Sequence, residues 1–317
     1  MILRFFLLLV LGCLLSFSVY GQDQGPDALT GKLLDLKYQQ MGTLWQVKVY
    51  LPEADSLRAQ KISRQVKSLL DSLNQIFSDY DPESTLNQVV RKAHLAPVSI
   101  PKPLAEVISQ AQIYARRSGG AFDISIGPLS RLWRRAFRRQ VFPEREDIRE
   151  AKKRVNYRWI QLENSQLRLK RKGMRLDLGG IAKGASVDYA ADLLEQYGLN
   201  HYLIDGGGDI RVSGHPPGKK AWEIELPNGQ IKEMNSGAIA SSGAQYRYLS
   251  YQGRRYSHLI DPRTGYGVEG QKTVTVLAPT AMEADAWASV FSILDGKEAS
   301  TLIAQLKERV LVYYLQN

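Results

Sequence analysis

Two side chains that suit a hard metal ion stand four residues apart near the C-terminus. Asp285 and Ser289 lie in residues 281–293, a stretch whose apolar pattern predicts a helix, so both are expected on one helical face. A carboxylate and a hydroxyl are hard oxygen ligands of the kind that Mg²⁺ takes, since this ion completes its shell with phosphate and water. An aspartate near a helix start followed by a neutral serine is the alternative, and the pair alone does not exclude it.

A histidine with a possible role in proton transfer precedes an Asp-Pro turn. His258 stands at the end of a predicted strand, three residues before Asp261-Pro262. In that place it is a candidate general base or ligand contact. The alternative is a hydrogen-bonded strand histidine followed by an ordinary turn. The chain has only four histidines, which favours the active role.

Two glycine-rich segments carry acidic or basic side chains. Residues 177–184 read DLGGIAKG and precede a predicted helix, so their glycines and Lys183 together form a candidate phosphate cradle. Residues 205–209 read DGGGD between two short predicted strands. Neither segment matches the Walker or dinucleotide-binding glycine patterns. A tight turn with a surface lysine and a simple hairpin turn remain the alternatives. Together with His258 and the Asp285/Ser289 pair, however, the segments favour metal-assisted chemistry on a phosphate ester.

The elements that must position these residues alternate between short strands and helices. Hairpin-like spacing dominates between residues 200 and 260, which favours an α+β fold with mixed or antiparallel sheets over a doubly wound parallel sheet. Strands are predicted at 44–50, 159–162, 167–169, 202–204, 210–212, 222–226, 238–240, 246–249, 274–277 and 310–314. The segment before Asp177 is also expected to be a strand. Helices are predicted at 56–76, 104–115, 131–139, 144–154, 184–197, 281–293 and 298–307.

Composition and the N-terminus narrow the class of protein. The chain has 317 residues, 44% hydrophobic and 23% charged, which is typical of globular proteins. Residues 1–21 have an early Arg4, an apolar run and small residues before Gln22, so they predict a signal peptide followed by one compact or bilobal unit at 22–317. The alternative is a lipoprotein cleaved before Cys13. The expected location is therefore the periplasm, either free or lipid-anchored to the inner membrane.

Cysteine usage and charge exclude several kinds of site. Cys13 is the only cysteine, so cleavage after residue 21 leaves no disulfide, catalytic thiolate or zinc–sulfur centre. The net charge of +10 is concentrated in residues 131–154 and 168–175. Such a surface suits anionic ligands, membranes or nucleic acid. Export argues against nucleic acid as a partner.

Read in order, the segments resemble the ApbE family of flavin transferases. The similarity extends from Met41-Gly42-Thr43 to Asp285 and Ser289. Between these ends it includes blocks at 77–84, 120–129, 177–184, 206–210, 238–243 and 258–265. The resemblance implies an ApbE-like fold related to the T-fold. It also implies an exported, Mg²⁺-dependent enzyme that cleaves the FAD pyrophosphate, attaches FMN to a Ser or Thr hydroxyl of an exported acceptor protein and releases AMP. The implied acceptor is a subunit of a membrane redox complex. The alternatives are an FAD pyrophosphatase and a non-catalytic flavin-binding lipoprotein.

The resemblance also implies roles for individual residues. His258 matches the catalytic histidine, with Asp261 beside it. Metal ligands would be Asp285, Ser289 and a backbone oxygen near Gly180. Ser289 replaces a common threonine and keeps the hydroxyl. The implied flavin contacts are Met41, Tyr80, Ala121, Phe122, Asp123, Asp177, Lys183 and Leu259.

Overall fold

The computed structural model describes residues 31–52, 56–243, 248–270, 272–306 and 309–315. The predicted signal peptide with its alternative Cys13, and the first two residues of the strand predicted at 246–249, lie outside the described residues. The helices are α1 (Ser56–Phe77), α2 (Thr85–Lys92), α3 (Lys102–Arg117), α4 (Gly127–Arg139), α5 (Arg145–Lys152), α6 (Ala182–Gln196), α7 (Ala281–Ile293) and α8 (Gly296–Leu306). The strands are β1 (Lys32–Gln40), β2 (Thr43–Leu51), β3 (Val98–Ser99), β4 (Ile160–Glu163), β5 (Gln166–Leu169), β6 (Tyr202–Asp205), β7 (Ile210–Ser213), β8 (Trp222–Glu225), β9 (Ile231–Met234), β10 (Ser236–Gly243), β11 (Tyr248–Tyr251), β12 (Arg254–Ile260), β13 (Gly267–Glu269), β14 (Thr273–Ala278) and β15 (Leu311–Leu315).

A seven-stranded antiparallel sheet forms the centre of the fold. Its strands run in the order β1-β2-β6-β7-β10-β14-β15, and every neighbouring pair is antiparallel. Three smaller sheets are formed by β11-β12-β13, β3-β5-β4 and β8-β9. The predicted α+β class with antiparallel sheets is therefore confirmed.

The main core lies between the central sheet and the helices. Side chains of β2 alternate between buried and less buried, as the period of a strand requires when one face is covered. Helix α7 is buried almost all round, with Trp287 and Phe291 fully inaccessible to solvent, which is the pattern of a helix enclosed by other elements. The residues that line the candidate site on α7 therefore rest on a rigid support.

A second core lies beside the first. Helices α4 and α5 pack against the small sheet of β11, β12 and β13 through Leu129, Trp133, Phe137 and Ile260, among others. The indole Nε1 of Trp133 donates a hydrogen bond of 2.9 Å to the Gly265 carbonyl. Helix α4 buries its apolar face and, among its residues, exposes only arginines.

Several elements differ from the sequence-based expectation. The segment before Asp177 is not a strand: Arg175 makes only an isolated parallel bridge to Ile126, because the chain there pairs with an irregular loop. Helix α6 begins at Ala182, two residues earlier than predicted. The edge strand β1 and the short helix α2 were not predicted. Helix α2 begins because the Ser84 hydroxyl accepts a hydrogen bond of 3.1 Å from the Asn87 amide.

Helices α6 and α7 meet at an unusually close contact. A Cβ placed on Gly184 would lie 2.3 Å from the Ala281 carbonyl oxygen, so only glycine fits there. The buried Asp188 carboxylate accepts hydrogen bonds of 2.9 Å from the amides of Ala281 and Met282, and one of 2.8 Å from Arg211. This contact fixes the start of α7 against α6. No helix in the described part of the chain is long and apolar enough to cross a membrane.

The Gly184→Ala variant tests this contact. The added methyl group has no room against the Ala281 backbone, so we expect the free energy of unfolding to fall by about 1–3 kcal/mol. Urea denaturation followed by circular dichroism measures it. Gly296→Ala is the matched control, because nothing lies within 4 Å of the added atom, and it should stay within about 1 kcal/mol of wild type. Equal stability of Gly184→Ala and wild type would contradict the close packing.

Candidate active site

A cavity of about 490 Å³ opens between the two cores. The central sheet and helices α6 and α7 form one side, and α4 with β12 forms the other. The structure brings eleven of the residues implied by the sequence together around this cavity, namely Tyr80, Ala121, Phe122, Asp123, Asp177, Gly180, Lys183, His258, Leu259, Asp285 and Ser289. Met41 and Asp261 do not line it.

Three charged groups meet at the buried floor of the cavity. The Lys183 ammonium forms an ion pair with Asp209, which is only 2% exposed. The Asp285 carboxylate accepts a hydrogen bond of 3.2 Å from the Gly184 amide. Burial raises the pKa of Asp285 to about 8, and the neighbouring charge of Asp209 adds to this effect. Burial alone would lower the pKa of Lys183, but the charges of Asp209 and Asp285 outweigh it and raise the pKa.

This floor favours an additional positive charge. Two carboxylates share one ammonium, so full ionisation leaves an excess negative charge in a place with little access to water. The raised pKa of the Asp285 carboxyl is a sign of this excess negative charge, because the carboxyl takes a proton when no other cation is present.

The donor set at the floor fits Mg²⁺. Ser289 lies one helical turn after Asp285, and a Cβ on Gly180 would stand 2.8 Å from the Ser289 hydroxyl oxygen. The backbone at Gly180 therefore lies so close to the Ser289 hydroxyl that a larger residue would not fit at position 180. In the described ranges no group of three or more His, Cys, Asp or Glu side chains could hold a metal ion. A metal here would use one carboxylate, one hydroxyl, backbone oxygen and the oxygens of substrate and water, which is the sparse protein coordination that Mg²⁺ accepts.

An arginine bridge stands at the mouth of the cavity. Arg134 donates a hydrogen bond of 2.8 Å to Asp177 and forms a second ion pair with Asp79. The Arg134 guanidinium lies 4.1 Å from the centre of the Tyr80 ring. Tyr80 is 74% exposed, so an aromatic ring of a ligand can stack on it. Burial raises the pKa of Asp79 to about 6, with a further contribution from the charge of Asp177.

The loop that follows α3 shapes the cavity wall. Ala121 and Phe122 are buried and line the wall. Both carboxylate oxygens of Asp123 are used within the protein: one accepts hydrogen bonds of 2.7 Å from the amide and hydroxyl of Ser125, and the other accepts one of 2.8 Å from the Tyr157 amide. Asp123 therefore fixes the shape of this loop.

His258 stands on the opposite wall, on strand β12, where its side chain is exposed to the cavity opening. Asp261 follows in the next turn. Its carboxylate pairs with Arg263 at 2.9 Å, and Arg263 also pairs with Glu298 at 2.7 Å. The Asp261 carbonyl accepts a hydrogen bond of 2.8 Å from Gly265. Asp261 therefore stabilises the turn that joins β12 to β13.

Met41 occupies the turn between β1 and β2, with a positive φ of 50°, and packs against the main core. Thr43 follows it at the start of β2, and its side chain is 2.4 Å from where a Cβ of Gly207 would stand. The Met41 turn is therefore next to the glycine turn that precedes Asp209, not in the cavity wall.

Sequence reasoning did not assign a role to three charged residues of the site. Asp209, Arg134 and Asp79 find their partners 26, 43 and 55 positions away along the chain. The DGGGD segment held the only signal for Asp209. Arg134 was placed within a run of basic residues, where nothing in the spacing separates it from its neighbours.

Comparisons with known proteins agree with one another. The model of the ApbE family matches residues 41–314. A protein of Salmonella typhimurium named FAD:protein FMN transferase is 29% identical over 305 residues, covering 91% of this chain and 87% of its own length. Its counterpart of the same name in Escherichia coli is 28% identical over 313 residues, covering 93% and 88%.

Solved structures give the same result. The flavin transferase ApbE from Vibrio cholerae superposes with a TM-score of 0.77 at 27% identity, covering 90% of this chain and 93% of that one. The ApbE protein from Thermotoga maritima does so with a TM-score of 0.77 at 26% identity, covering 89% and 94%.

The pKa of Asp79 predicts a pH dependence of stability. The folded state holds the Asp79 proton up to a pH of about 6, whereas the unfolded state, with its ordinary pKa of 3.8, has already released it. The folded state therefore binds more protons in this window, and the free energy of unfolding falls as pH rises from about 4 to about 6. We expect Asp79→Asn to flatten this slope, measured by thermal unfolding at closely spaced pH values. The exposed Asp147→Asn should keep the wild-type slope, and an unchanged slope in Asp79→Asn would contradict the assignment.

Proposed function

The chain belongs to the ApbE family, and from this membership and the geometry of its cavity we propose that it is an exported, Mg²⁺-dependent FAD:protein FMN transferase. The observation that carries the proposal is the arrangement of the cavity. The half-buried Lys183 and the buried carboxylate of Asp285 line its floor, and the buried Asp209 pairs with Lys183 behind it. A histidine stands on the opposite wall, and an exposed tyrosine stands at its mouth. A polyanionic substrate with an aromatic ring suits this combination.

The proposed reaction is a displacement at phosphorus. The hydroxyl oxygen of an acceptor Ser or Thr forms a bond to the phosphorus on the flavin side of the FAD pyrophosphate. The bond from that phosphorus to the bridging oxygen breaks, and AMP leaves with this oxygen. The hydroxyl proton passes to a base of the enzyme. The acceptor then carries FMN through a phosphoester bond.

Lys183 is placed to stabilise the charge of the pyrophosphate. Its ammonium is held at the cavity floor by Asp209, so it is oriented before the substrate arrives. Because its pKa is raised, it stays charged over the whole physiological range. A fixed positive charge in a site with little water interacts strongly with a developing negative charge.

His258 is the proposed base. It stands on β12 across the cavity from Lys183, on the side where the cavity is open to an incoming acceptor. The turn held by Asp261 and Arg263 fixes the end of this strand. His258 would accept the proton of the acceptor hydroxyl as the new bond forms.

Asp285, Ser289 and the backbone at Gly180 would hold the Mg²⁺ ion. When bound, this ion supplies a positive charge that neutralises phosphate oxygens during the displacement. Tyr80 would stack on a ring of FAD, a contact on the order of 1 kcal/mol.

The predicted signal peptide and the proposed transferase function together suggest the acceptor and the location. The predicted signal at 1–21 supports an acceptor that is also exported, and the periplasm is the proposed site of action, with or without a lipid anchor. A flavin attached covalently serves electron transfer, so a subunit of a membrane redox complex is the proposed acceptor.

The test of function is incubation of the purified protein with FAD, Mg²⁺ and candidate acceptors, followed by flavin fluorescence in a denaturing gel. A covalent fluorescent band together with AMP release supports the transferase. AMP and FMN without such a band would indicate a pyrophosphatase instead. Candidates are the proteins whose flavin fluorescence disappears from cells that lack this chain.

His258→Ala tests the base. We expect the variant to bind FAD as wild type does and to transfer FMN about 10²–10⁴-fold more slowly, since a positioned base typically contributes this much. Flavin fluorescence titration measures the binding, and the gel assay measures transfer. His215→Ala removes a histidine outside the cavity and should leave both unchanged. Wild-type transfer by His258→Ala would remove the base assignment.

Ser289→Ala tests the hydroxyl ligand. Loss of one oxygen should raise the Mg²⁺ concentration needed for half-maximal AMP release by about tenfold, by analogy with the loss of other groups that support a metal site. Ser289→Thr is the control, because it keeps the hydroxyl and should stay close to wild type. The same Mg²⁺ requirement in all three proteins would exclude Ser289 as a ligand.

A further inference from the structure

A second cavity, of about 730 Å³, adjoins the candidate active site. The two share Tyr80 and Arg134, which form the wall between them. The loop at 79–82, the end of α2, the exposed face of α4 and the segment 172–176 enclose it. We call it the basic groove. The proposed flavin chemistry assigns no role to the rest of its lining.

The basic groove is strongly positive. Among the described residues that line it, Asp79 is the only acidic one, and it is already paired with Arg134. The other charged residues that line it are all cations: Arg91, Arg131, Arg138, Lys172 and Arg175. All five are exposed, so their charges are presented to a ligand that enters.

Most of these cations have no carboxylate partner. Arg91 lies 3.7 Å from Glu83 and donates a hydrogen bond of 2.7 Å to the Pro82 carbonyl. Among the described residues, none forms an ion pair with Arg131, Arg138, Lys172 or Arg175. The helix that follows, α5, by contrast pairs Arg149 with Glu146 and Lys153 with Glu150.

The cations also act on one another. Partial desolvation, and then the like charges of Arg131 and Arg91, lower the pKa of Arg175. The folded chain therefore brings charges of one sign together without compensating them, at some cost in stability. An anionic ligand in the basic groove would relieve this repulsion.

Building on the proposed transferase function, we propose that the basic groove binds an acidic segment of the acceptor protein and so delivers the acceptor hydroxyl to the neighbouring FAD cavity. A polypeptide can lie in a concave groove and extend a side chain past Tyr80 and Arg134 towards His258. A lipid surface is flat and cannot do both. The arrangement separates recognition of the acceptor from binding of the dinucleotide.

The test measures binding of a fluorescein-labelled polyglutamate peptide containing one serine, by fluorescence anisotropy. The variant Arg131→Glu/Arg138→Glu reverses two charges of the basic groove. The matched control, Arg135→Glu/Arg139→Glu, makes the same change on the same helix at exposed positions outside both cavities. Lys172→Glu tests the groove from a different element, in case the double change disturbs α4. Circular dichroism and thermal unfolding establish that each variant folds.

We expect the groove variant to bind the peptide about tenfold more weakly than wild type, with Lys172→Glu intermediate and the control within about twofold. Binding to wild type should weaken steeply with salt, because exposed charges are screened. FAD affinity should be equal in all four proteins. A peptide that fails to bind wild type, or that binds the groove variant and the control equally well, would overturn the proposal.

Two further results would also overturn it. A loss of FAD affinity confined to the groove variants would mean that the dinucleotide occupies the groove. Binding to phosphatidylglycerol vesicles that depends on Arg131 and Arg138, without binding to the peptide, would mean that the groove faces a lipid surface. AMP release from FAD by wild type, in the presence of Mg²⁺ and the candidate acceptors of the gel assay, is measured in parallel. Its absence would refute the transferase function, whereas failure of the peptide experiment with normal AMP release refutes the groove alone.

Discussion

The active site depends on two buried carboxylates that stand beside a single ammonium, so that one of them keeps its proton unless another cation binds. The half-buried Lys183 faces Asp209 and Asp285, two carboxylates that water scarcely reaches, so one ammonium serves both. An arrangement of this kind persists only if the surrounding backbone cannot relax away from it. The close contact of α6 and α7 provides this restraint. Gly184 sets the distance between the helices, and the Asp188 carboxylate ties the first amides of α7 to α6. A cation that binds at this floor would replace the proton that the raised pKa of Asp285 keeps there.

The two hydrophobic cores position different residues of the site. The larger core holds the charged floor on helices that are buried almost completely. The smaller core, of α4, α5 and the β11-β12-β13 sheet, carries His258 and the arginine bridge. The hydrogen bond from Trp133 to Gly265 holds the turn after β12 against α4, and the pairing of Asp261 with Arg263 stabilises this turn. A cavity between two cores is a common binding place for a ligand, since residues from distant parts of the chain meet there.

The sequence could predict what depends on local pattern. Helix α7 was predicted with its exact bounds, because an apolar run of this length after a Thr N-cap is a strong local signal. The antiparallel class followed from hairpin spacing. The sequence could not predict what depends on distant partners. The resemblance implies Asp123 as a flavin contact, but no local pattern predicts that its oxygens also accept hydrogen bonds from Ser125 and Tyr157. The short helix α2 and the edge strand β1 do carry a local signal that sequence reasoning missed. Leu86, Val89 and Val90 stand at helical spacing in α2, and Leu34, Leu36 and Tyr38 stand at strand spacing in β1.

Transfer to a protein sets a requirement that hydrolysis does not. Water reaches an open cavity without help, whereas a hydroxyl on a protein must be held at the phosphorus long enough to compete with it. In the proposed function the polar residues of the 490 Å³ cavity serve the pyrophosphate and His258 serves as the base, so the cavity offers little further surface with which to recognise a second macromolecule. Recognition must then come from the surface next to the opening. That surface is the basic groove, and its shared wall of Tyr80 and Arg134 places any bound segment beside the opening. Selection of the acceptor by charge outside the cavity would leave the cavity itself free to be shaped for FAD alone.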